Sequence, residues 1–482
     1  MEQLRKDLWL PTSKEEFNVC SVNNNVHSKL CYQGDAVNNS GEVASLREKY
    51  SSKVNPERET LKTFSISLAP NAHQKTKLGQ MLVLSNLGFN WAKWLIDEKG
   101  FSPKDKGAIQ KVLNKKSLDD ISDKTLIYPE AFKYAGLMRG TTAIRTTGMH
   151  QYFSAYKASM RLHKGNEKKF NIRYREINSD RGTIGLPKPF IQHVTEKDLK
   201  HGKGRKDYDE RKMLKIMPDF FGQRDNPENR FIKVARLASA KKMPPFEHDV
   251  TINLRPNGKW ILNIPCESKY IRVTEKTDHQ KNPVVSSDPG VRAFQTMYDP
   301  FEQKAWQMGT QEDLLELRKL KTRAQHFDSL AAVAKKKGQA KAAHDYERAA
   351  AKTWRKLKDV RHNKHRLIAS DMVRNYQSVV VGKLSSSSCV YTKNGRKLSR
   401  QTNSDMHTWS PYTFQQRLHN RANGTTTFVM DQDEAYTSKT CGRCGKINKK
   451  LGSSKTFECQ CGTVIDRDVN GARNILVKNA VQ

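Results

Sequence analysis

Four cysteines near the end of the chain have the spacing of a metal site: Cys441-x2-Cys444, fourteen further residues, then Cys459-x-Cys461. Thiolates supplied in two close pairs suit the tetrahedral preference of zinc, with Zn–S bonds of about 2.3 Å. Gly445 and Gly462 each follow the last cysteine of a pair, where a knuckle turns sharply. The second pair has one spacer residue where two is usual. A closed four-cysteine set leaves no position for water, so one structural zinc ion is expected. Two aspartates offer a different chemistry. Asp288 ends an apolar run and is followed at once by Pro289-Gly290, while Asp468 opens a helical pattern within Asp466-Arg467-Asp468-Val469-Asn470-Gly471. Sites in open parallel sheets form at the carboxyl ends of strands, and a helix amino end favours an anion. Taken singly, each also has an ordinary reading: Asp-Pro-Gly is a common turn, and an aspartate at a helix start is a common cap.

These residues need a scaffold, and hydrophobic periodicity outlines one. Residues 1–60 are polar and without period, and are expected as a loosely ordered arm. A strand at 63–68 alternates with period two and stops at Pro70. Residues 77–96 read as a helix with Leu78, Met81, Leu82, Leu84 and Leu87 on its stripe, and 129–165 as a second helical tract. Short strands follow at 171–174, 182–186, 250–254 and 260–264, the last two joined by a Pro256-Asn257-Gly258 turn. One strand separated from the rest by helices predicts a small β-barrel over 61–282 with a helical insert at about 75–168. In 283–482 the pattern becomes three meander strands, a charged helical hairpin at 311–376 turning near Gly338, and an apolar strand at 378–382. A helix at 412–422, a strand at 425–430 and a closing helix from about Asp468 complete it. This is the element order of the ribonuclease H fold, with the cysteine module at 436–465 inserted before the last helix. The expected class is therefore α/β and multidomain.

Charge names the partner class. Lysine and arginine number 86 against 50 aspartates and glutamates, a formal net charge of +36 on 482 residues. Such a chain repels itself unless a polyanion neutralises it, so nucleic acid is the favoured partner. No run approaches the roughly 18 apolar residues of a membrane span, and the first thirty residues lack a signal-peptide core, so neither a membrane nor secretion is expected.

With these pieces assembled, the sequence resembles the transposon-encoded TnpB family and its eukaryotic relatives, the Fanzor proteins, and is distantly similar to type V CRISPR effectors. The resemblance runs over roughly 62–480. It is carried by Ser287-Asp288-Pro289-Gly290-Val291-Arg292, by Tyr436-Thr437-Ser438-Lys439-Thr440-Cys441-Gly442-Arg443-Cys444-Gly445, and by 466–475. It implies a guide-RNA-directed DNA endonuclease with a RuvC-type nuclease domain bearing a zinc ribbon. The barrel would then be a wedge, and its helical insert a recognition element reading a DNA motif beside the target. Implied partners are a guide RNA of the omega type and double-stranded target DNA, in a monomeric ribonucleoprotein. The Fanzor likeness implies a nuclear location.

The chain departs from the TnpB pattern at one point. That family has a catalytic glutamate at the end of the middle strand, where Val379-Val380-Val381 here runs into Gly382. Two magnesium ions about 4 Å apart repel too strongly to be held by two aspartates. Either the protein is inactive or the third acid arrives from elsewhere. After Gly382 the chain contains two glutamates, Glu434 and Glu458, and Glu458 lies inside the cysteine module. Glu434 follows the next parallel strand, so it would lie near the same sheet edge, and glycine at 382 leaves it room. The resemblance to Fanzor proteins, which have a relocated glutamate, implies the same. Asp288, Glu434 and Asp468 are therefore the expected magnesium ligands for two-metal phosphodiester hydrolysis. The alternatives are an inactive RNA-guided DNA binder and a transposase. Candidate nucleic-acid contacts are Lys335, Lys336, Lys337, Arg355 and Lys356 in the hairpin, and Tyr152, Tyr156, Lys157 and Arg161 in the insert, where aromatics and bases mix. Trp91 and Trp94 read as core.

Overall fold

The computed structural model describes residues 19–21, 27–33, 48–50, 61–138, 142–163, 170–195, 213–221, 229, 231–235, 243–267, 280–383, 391–392, 395–396, 399–452 and 454–481. They fall into two compact units, Leu61–Ile271, and Met1–Thr60 together with Arg272–Gln482. Among the described residues no helix is long and apolar enough to cross a membrane.

In the unit Leu61–Ile271, the strand Leu61–Ala69 leads through Pro70 into the helix Ala72–Asp97. Asn71 and Gln74 cap that helix reciprocally, each side chain accepting from the other's backbone N–H. The helix packs on a second, Thr142–Leu162, at two glycines. A Cβ on Gly88 would overlap the carbonyl of Arg145, and one on Gly148 the carbonyl of Ser85. The backbones therefore touch where no side chain fits. Trp91 is fully buried there, and Trp94 is half-buried against Tyr128.

Seven antiparallel strands make this unit's sheet, in the order Gly182–Leu186, Val250–Leu254, Trp260–Glu267, Leu61–Ala69, Phe231–Ala235, Met213–Ile216, Ile191–His193. The two edge strands are consecutive in sequence. Only residues 187–190 link them, a reach of about 18 Å at most, so the sheet must curl. Among the described residues it stops short of the predicted barrel and remains a half-barrel, because the link carries Pro187 and Pro189, which cannot donate to a ladder. The strand expected at 171–174 is also absent. Its neighbourhood is held instead by side chains, with Asn90 bonded to Arg175 and Asn86 to the carbonyls of Glu176 and Ile177.

The other unit is built on a mixed sheet in the order Val19–Ser21, His27–Gln33, Lys304–Met308, Gln295–Asp299, Asn282–Pro289, Tyr376–Gly382, Phe428–Gln432. Its last three strands are mutually parallel. The helical hairpin is Gln311–Lys336 and Ala340–Asn375, turning at Gly338 with φ +70°. Helices Arg400–Trp409 and Pro411–Ala422 precede the last strand, and Arg467–Val481 closes the chain. The order of elements is the one the periodicity predicts, with the helix Arg400–Trp409 added before the expected one at 412–422. The polar arm is more engaged than expected: His27–Gln33 pairs with Lys304–Met308, and Tyr50 is fully buried, its hydroxyl 2.8 Å from Asn479 Oδ1. Hydropathy missed this because joining a sheet needs only backbone partners, which leave no mark in side-chain pattern. Residues 1–18, 22–26, 34–47 and 51–60 of the arm lie outside the described residues. The unit resumes at Arg272, ahead of the boundary read at 282/283, and Asn282 already pairs with Tyr376 in its sheet.

Both faces of this sheet are covered, which explains the continuous apolar runs in its strands. Alternate residues take opposite faces. Val285, Val379 and Val381 pack with Leu314, Leu357, Ile368, Met372 and Leu418 of the hairpin and helix layer. Val284 and Val380 pack with Val469, Ala472, Ile475 and Leu476 of the closing helix.

Candidate active site and cysteine module

The same period of two decides where the acids point. Asp288 shares a face with Val284 and Ser286, the face covered by the closing helix, and Ser286 Oγ donates to Ala472 O at 2.8 Å. Asp288 therefore projects at that helix beyond Ser286. A Cβ on Gly471 would overlap its Oδ2, so glycine is what lets strand end and helix meet. Asp468 lies one turn earlier on the same helix, on the same side. Ser287 pairs with Val381 and Gly382 with Gln432, which sets three strand ends level. Glu434, two residues past Gln432, folds its side chain over Gly382. A Cβ there would lie 2.5 Å from Glu434 Oε1, 2.8 Å from its Cγ and 2.8 Å from Pro289 Cδ. Asp466 caps the closing helix, accepting from the N–H groups of Asp468 and Val469 at 2.8 and 3.1 Å. Capping thus falls to Asp466, and the half-buried Asp468 carboxylate is not spent on it.

Electrostatically this is a place for a cation. Burial raises the Asp288 carboxyl well above its ordinary value, and the charges of Glu434 and then Asp468 raise it further. Glu434 is pushed up to about 7 by burial and by Asp433. Asp468 is raised by burial and by Asp466, against the pull of Arg292. Glu434 Oε1 is buried with no hydrogen-bond partner. An orphaned carboxylate oxygen among raised acids fits hard divalent cations, which take oxygen donors. The three carboxylates stand wider apart than a single-ion site. Among the described residues, the cysteines are the set whose ligand atoms all lie within 4.8 Å of one another.

Those cysteines fit a tetrahedral ion. Cys441 and Cys461 Sγ are 3.7 Å apart, and Cys444 and Cys459 Sγ 3.5 Å, against about 3.8 Å for the edge of a tetrahedron with 2.3 Å bonds. Gly445 and Gly462 take φ of +78° and +85°, which glycine adopts freely, so the short second pair still turns. A hairpin, Thr456–Glu458 with Val464–Asp466, carries the second pair directly into the closing helix. Asn470 locks the first pair to that helix: its Oδ1 accepts from Gly442 N at 3.0 Å and its Nδ2 donates to Thr440 O at 2.8 Å. Sequence reading did not single out Asn470. Its signal is a polar residue on the apolar side of a helix.

The expected nucleic-acid contacts divide. Tyr152 is corrected to core: it is buried, with its ring edge-on to Phe89 at 5.4 Å, because it falls on the face packed against Ala72–Asp97. Tyr156 is half-buried against Phe170, while Lys157 and Arg161 are exposed. Lys336, Lys337 and Lys356 are exposed on the hairpin. Lys335 and Arg355 also face solvent in part but pair with Glu347 at 2.5 Å and Asp359 at 2.9 Å.

Comparison with known proteins places the chain. Residues 412–475, from the helix before the last strand through the cysteine module to the closing helix, match the family model described as Cas12f1-like, TNB domain. A protein of Paramecium bursaria Chlorella virus 1 named as a transposase is 27% identical over 423 residues, 87% of each chain. A TnpB-like protein of Acanthamoeba polyphaga mimivirus is 30% identical over 272 residues, 55% of this chain and 49% of its own, so the match spans about half of that relative. The CRISPR-associated endodeoxyribonuclease Cas12f1 of Sulfoacidibacillus thermotolerans is 34% identical over 77 residues, 15% of this chain and 18% of its own. A relative aligned along nearly the whole length, TnpB-like relatives along half of it, and a Cas12f1-like module at its end show that this chain is similar to TnpB-like proteins.

Proposed function

We propose that this protein is a transposon-associated, RNA-guided DNA endonuclease of the Fanzor kind. In this reading the unit carrying the mixed sheet is a ribonuclease H-like, RuvC-type nuclease domain, and the half-barrel unit is a wedge with a helical recognition insert. Asp288, Glu434 and Asp468 would hold two magnesium ions, which supply activation of water and stabilisation of the leaving 3′ oxygen. The residues' own part is to gather three negative charges at one sheet edge, at positions set by register. Cys441, Cys444, Cys459 and Cys461 would hold one structural zinc ion. Exposed lysines and arginines would take guide RNA and target DNA through their phosphates, with base pairing choosing the target. A monomeric ribonucleoprotein in the nucleus is the proposed working form.

One observation carries the proposal: the partnerless carboxylate oxygen of Glu434 lies over Gly382, the strand end where a TnpB-type glutamate would project, on the face that also holds Asp288. The test is magnesium-dependent cutting of a plasmid matching the copurified RNA. Wild-type protein should cut and Asp288→Ala should not, with RNA retained by both. Cutting that persists after ribonuclease treatment would instead favour a transposase, and RNA and target binding without any cutting an inactive binder.

A further inference from the structure

Glu434 leaves the sheet on a segment, 433–442, that has no strand to hold it. The closing helix holds it instead, at Asn470, Asn474 and Lys478, residues four apart and therefore on one face. Lys478 Nζ donates to the Asp433 carbonyl at 3.1 Å, to Asp433 Oδ2 at 2.7 Å and to the Ala435 carbonyl at 3.4 Å, gripping the backbone on both sides of Glu434. The Glu434 carbonyl itself accepts from Thr437 N at 3.1 Å and Thr437 Oγ1 at 2.9 Å. Asn474, buried, then donates from Nδ2 to Thr437 O at 2.9 Å and Thr440 O at 2.8 Å. Three consecutive carbonyls, at 433, 434 and 435, are thus fixed directly or through one residue to a single helix.

That helix also carries Asp468. Its backbone is a rigid body, so one element sets both the place of Asp468 and the origin of the Glu434 side chain. The Glu434 Oε1 atom has no hydrogen-bond partner of its own, so its location depends on where the backbone starts it and on the room over Gly382. A side chain as long as glutamate loses rotamer freedom when held still, and a backbone fixed in advance lowers that cost.

The geometry points to Asn474 and Lys478 as positioning residues for Glu434, which hold its backbone at a set distance from Asp468 so that the carboxylates can share divalent cations. This rests on the reading of Glu434 as a cation ligand. Losing partners of this kind in metal sites typically costs about 10–100-fold in affinity or activity.

The test uses the full chain with its copurified RNA in four forms: wild type, Glu434→Ala, Asn474→Ala and Lys478→Met. Lys478→Arg serves as the conservative rescue. Manganese binding is read by electron paramagnetic resonance, backbone exchange of 433–442 by deuterium uptake without metal, and cutting by single-turnover rates. Asn474→Ala and Lys478→Met should each weaken manganese binding and slow cutting about 10–100-fold and raise exchange at 433–442, with RNA retention and melting temperature held, and arginine at 478 should restore most of the loss. If Asn474→Ala does not fold, Lys478→Met decides, since Lys478 is at the surface. Wild-type manganese binding and cutting in both variants, with Glu434→Ala inactive, overturns the positioning role and leaves the Glu434 reading intact. Slow cutting with unchanged manganese affinity also overturns it. Full cutting by Glu434→Ala removes the Glu434 reading and the inference together.

Discussion

The smallest change with the largest expected consequence at the candidate site is Gly382→Ala. It adds one methyl group and no charge, in a strand where alanine is tolerated. The new Cβ would lie 2.5 Å from Glu434 Oε1 and 2.8 Å from Glu434 Cγ and Pro289 Cδ, whereas ordinary contact begins at 3.4 Å. The shortfalls are about 0.9 Å and 0.6 Å. Pro289 is a ring fused to the main chain at the end of the strand Asn282–Pro289, which is paired on both sides, and it yields little. Glu434 is the movable partner, so its carboxylate should be displaced by about 1 Å. A misplacement of that size costs about 100-fold in rate, or roughly 3 kcal/mol of barrier. Overpacking of this kind destabilises by about 1–3 kcal/mol, so the melting temperature should fall only a little. The assay is single-turnover cutting at saturating target and fixed magnesium. Gly471→Ala, whose Cβ would overlap Asp288 Oδ2, should act in the same direction. Gly79→Ala, which meets nothing within 4 Å, should leave the rate unchanged. Wild-type cutting by Gly382→Ala in a folded protein would mean that the Glu434 carboxylate need not occupy this space, and the proposed site would fall.

Two further outcomes follow from the same unit. Cys459→Ser should remove one equivalent of zinc by elemental analysis and, through the loosened Gly442–Asn470 tie, reduce cutting while RNA is still bound; a variant that keeps its zinc would contradict the four-thiolate site. His365 is buried between Trp409 O, which its Nε2 meets at 2.8 Å, and Arg417, 3.2 Å from its Nδ1, and it stacks on Phe294 at 5.0 Å. Burial, then Arg417 and Arg361, holds its pKa down to about 3, from 6.5. A base depressed on folding contributes stability that is complete above its unfolded pKa and is lost as pH falls towards the folded one. The cost should therefore develop below about pH 6.5 and reach roughly 2 kcal/mol by pH 5. Melting at pH 7 and pH 5 checks this: His365→Gln should show a smaller acid-induced drop than wild type, and equal drops would refute it.

What the sequence determined by itself was everything local. Cys441 and Cys444 are two residues apart in any fold, so their pairing is legible without coordinates. Periodicity marked most of the elements, and Asp288 with its Pro289-Gly290 breaker marked a strand end, because helices and covered strands write their burial into adjacent residues. Tertiary structure decided what depends on register and on facing surfaces. That Tyr152 is core while Lys157 is exposed depends on which helix lies opposite, and Arg145 and Ser85, which make Gly88 and Gly148 necessary, lie more than fifty residues from them. The half-barrel's shape follows from which edges pair and which are blocked by prolines. Whether Glu434 reaches the space over Gly382 depends on three parallel strands being level and on a helix that fixes 433–442 through Asn474 and Lys478. Spacing along a chain constrains neighbours at 3.6 or 2 residues, whereas the meeting of residues 288, 434 and 468 is set by packing across intervals no local period spans.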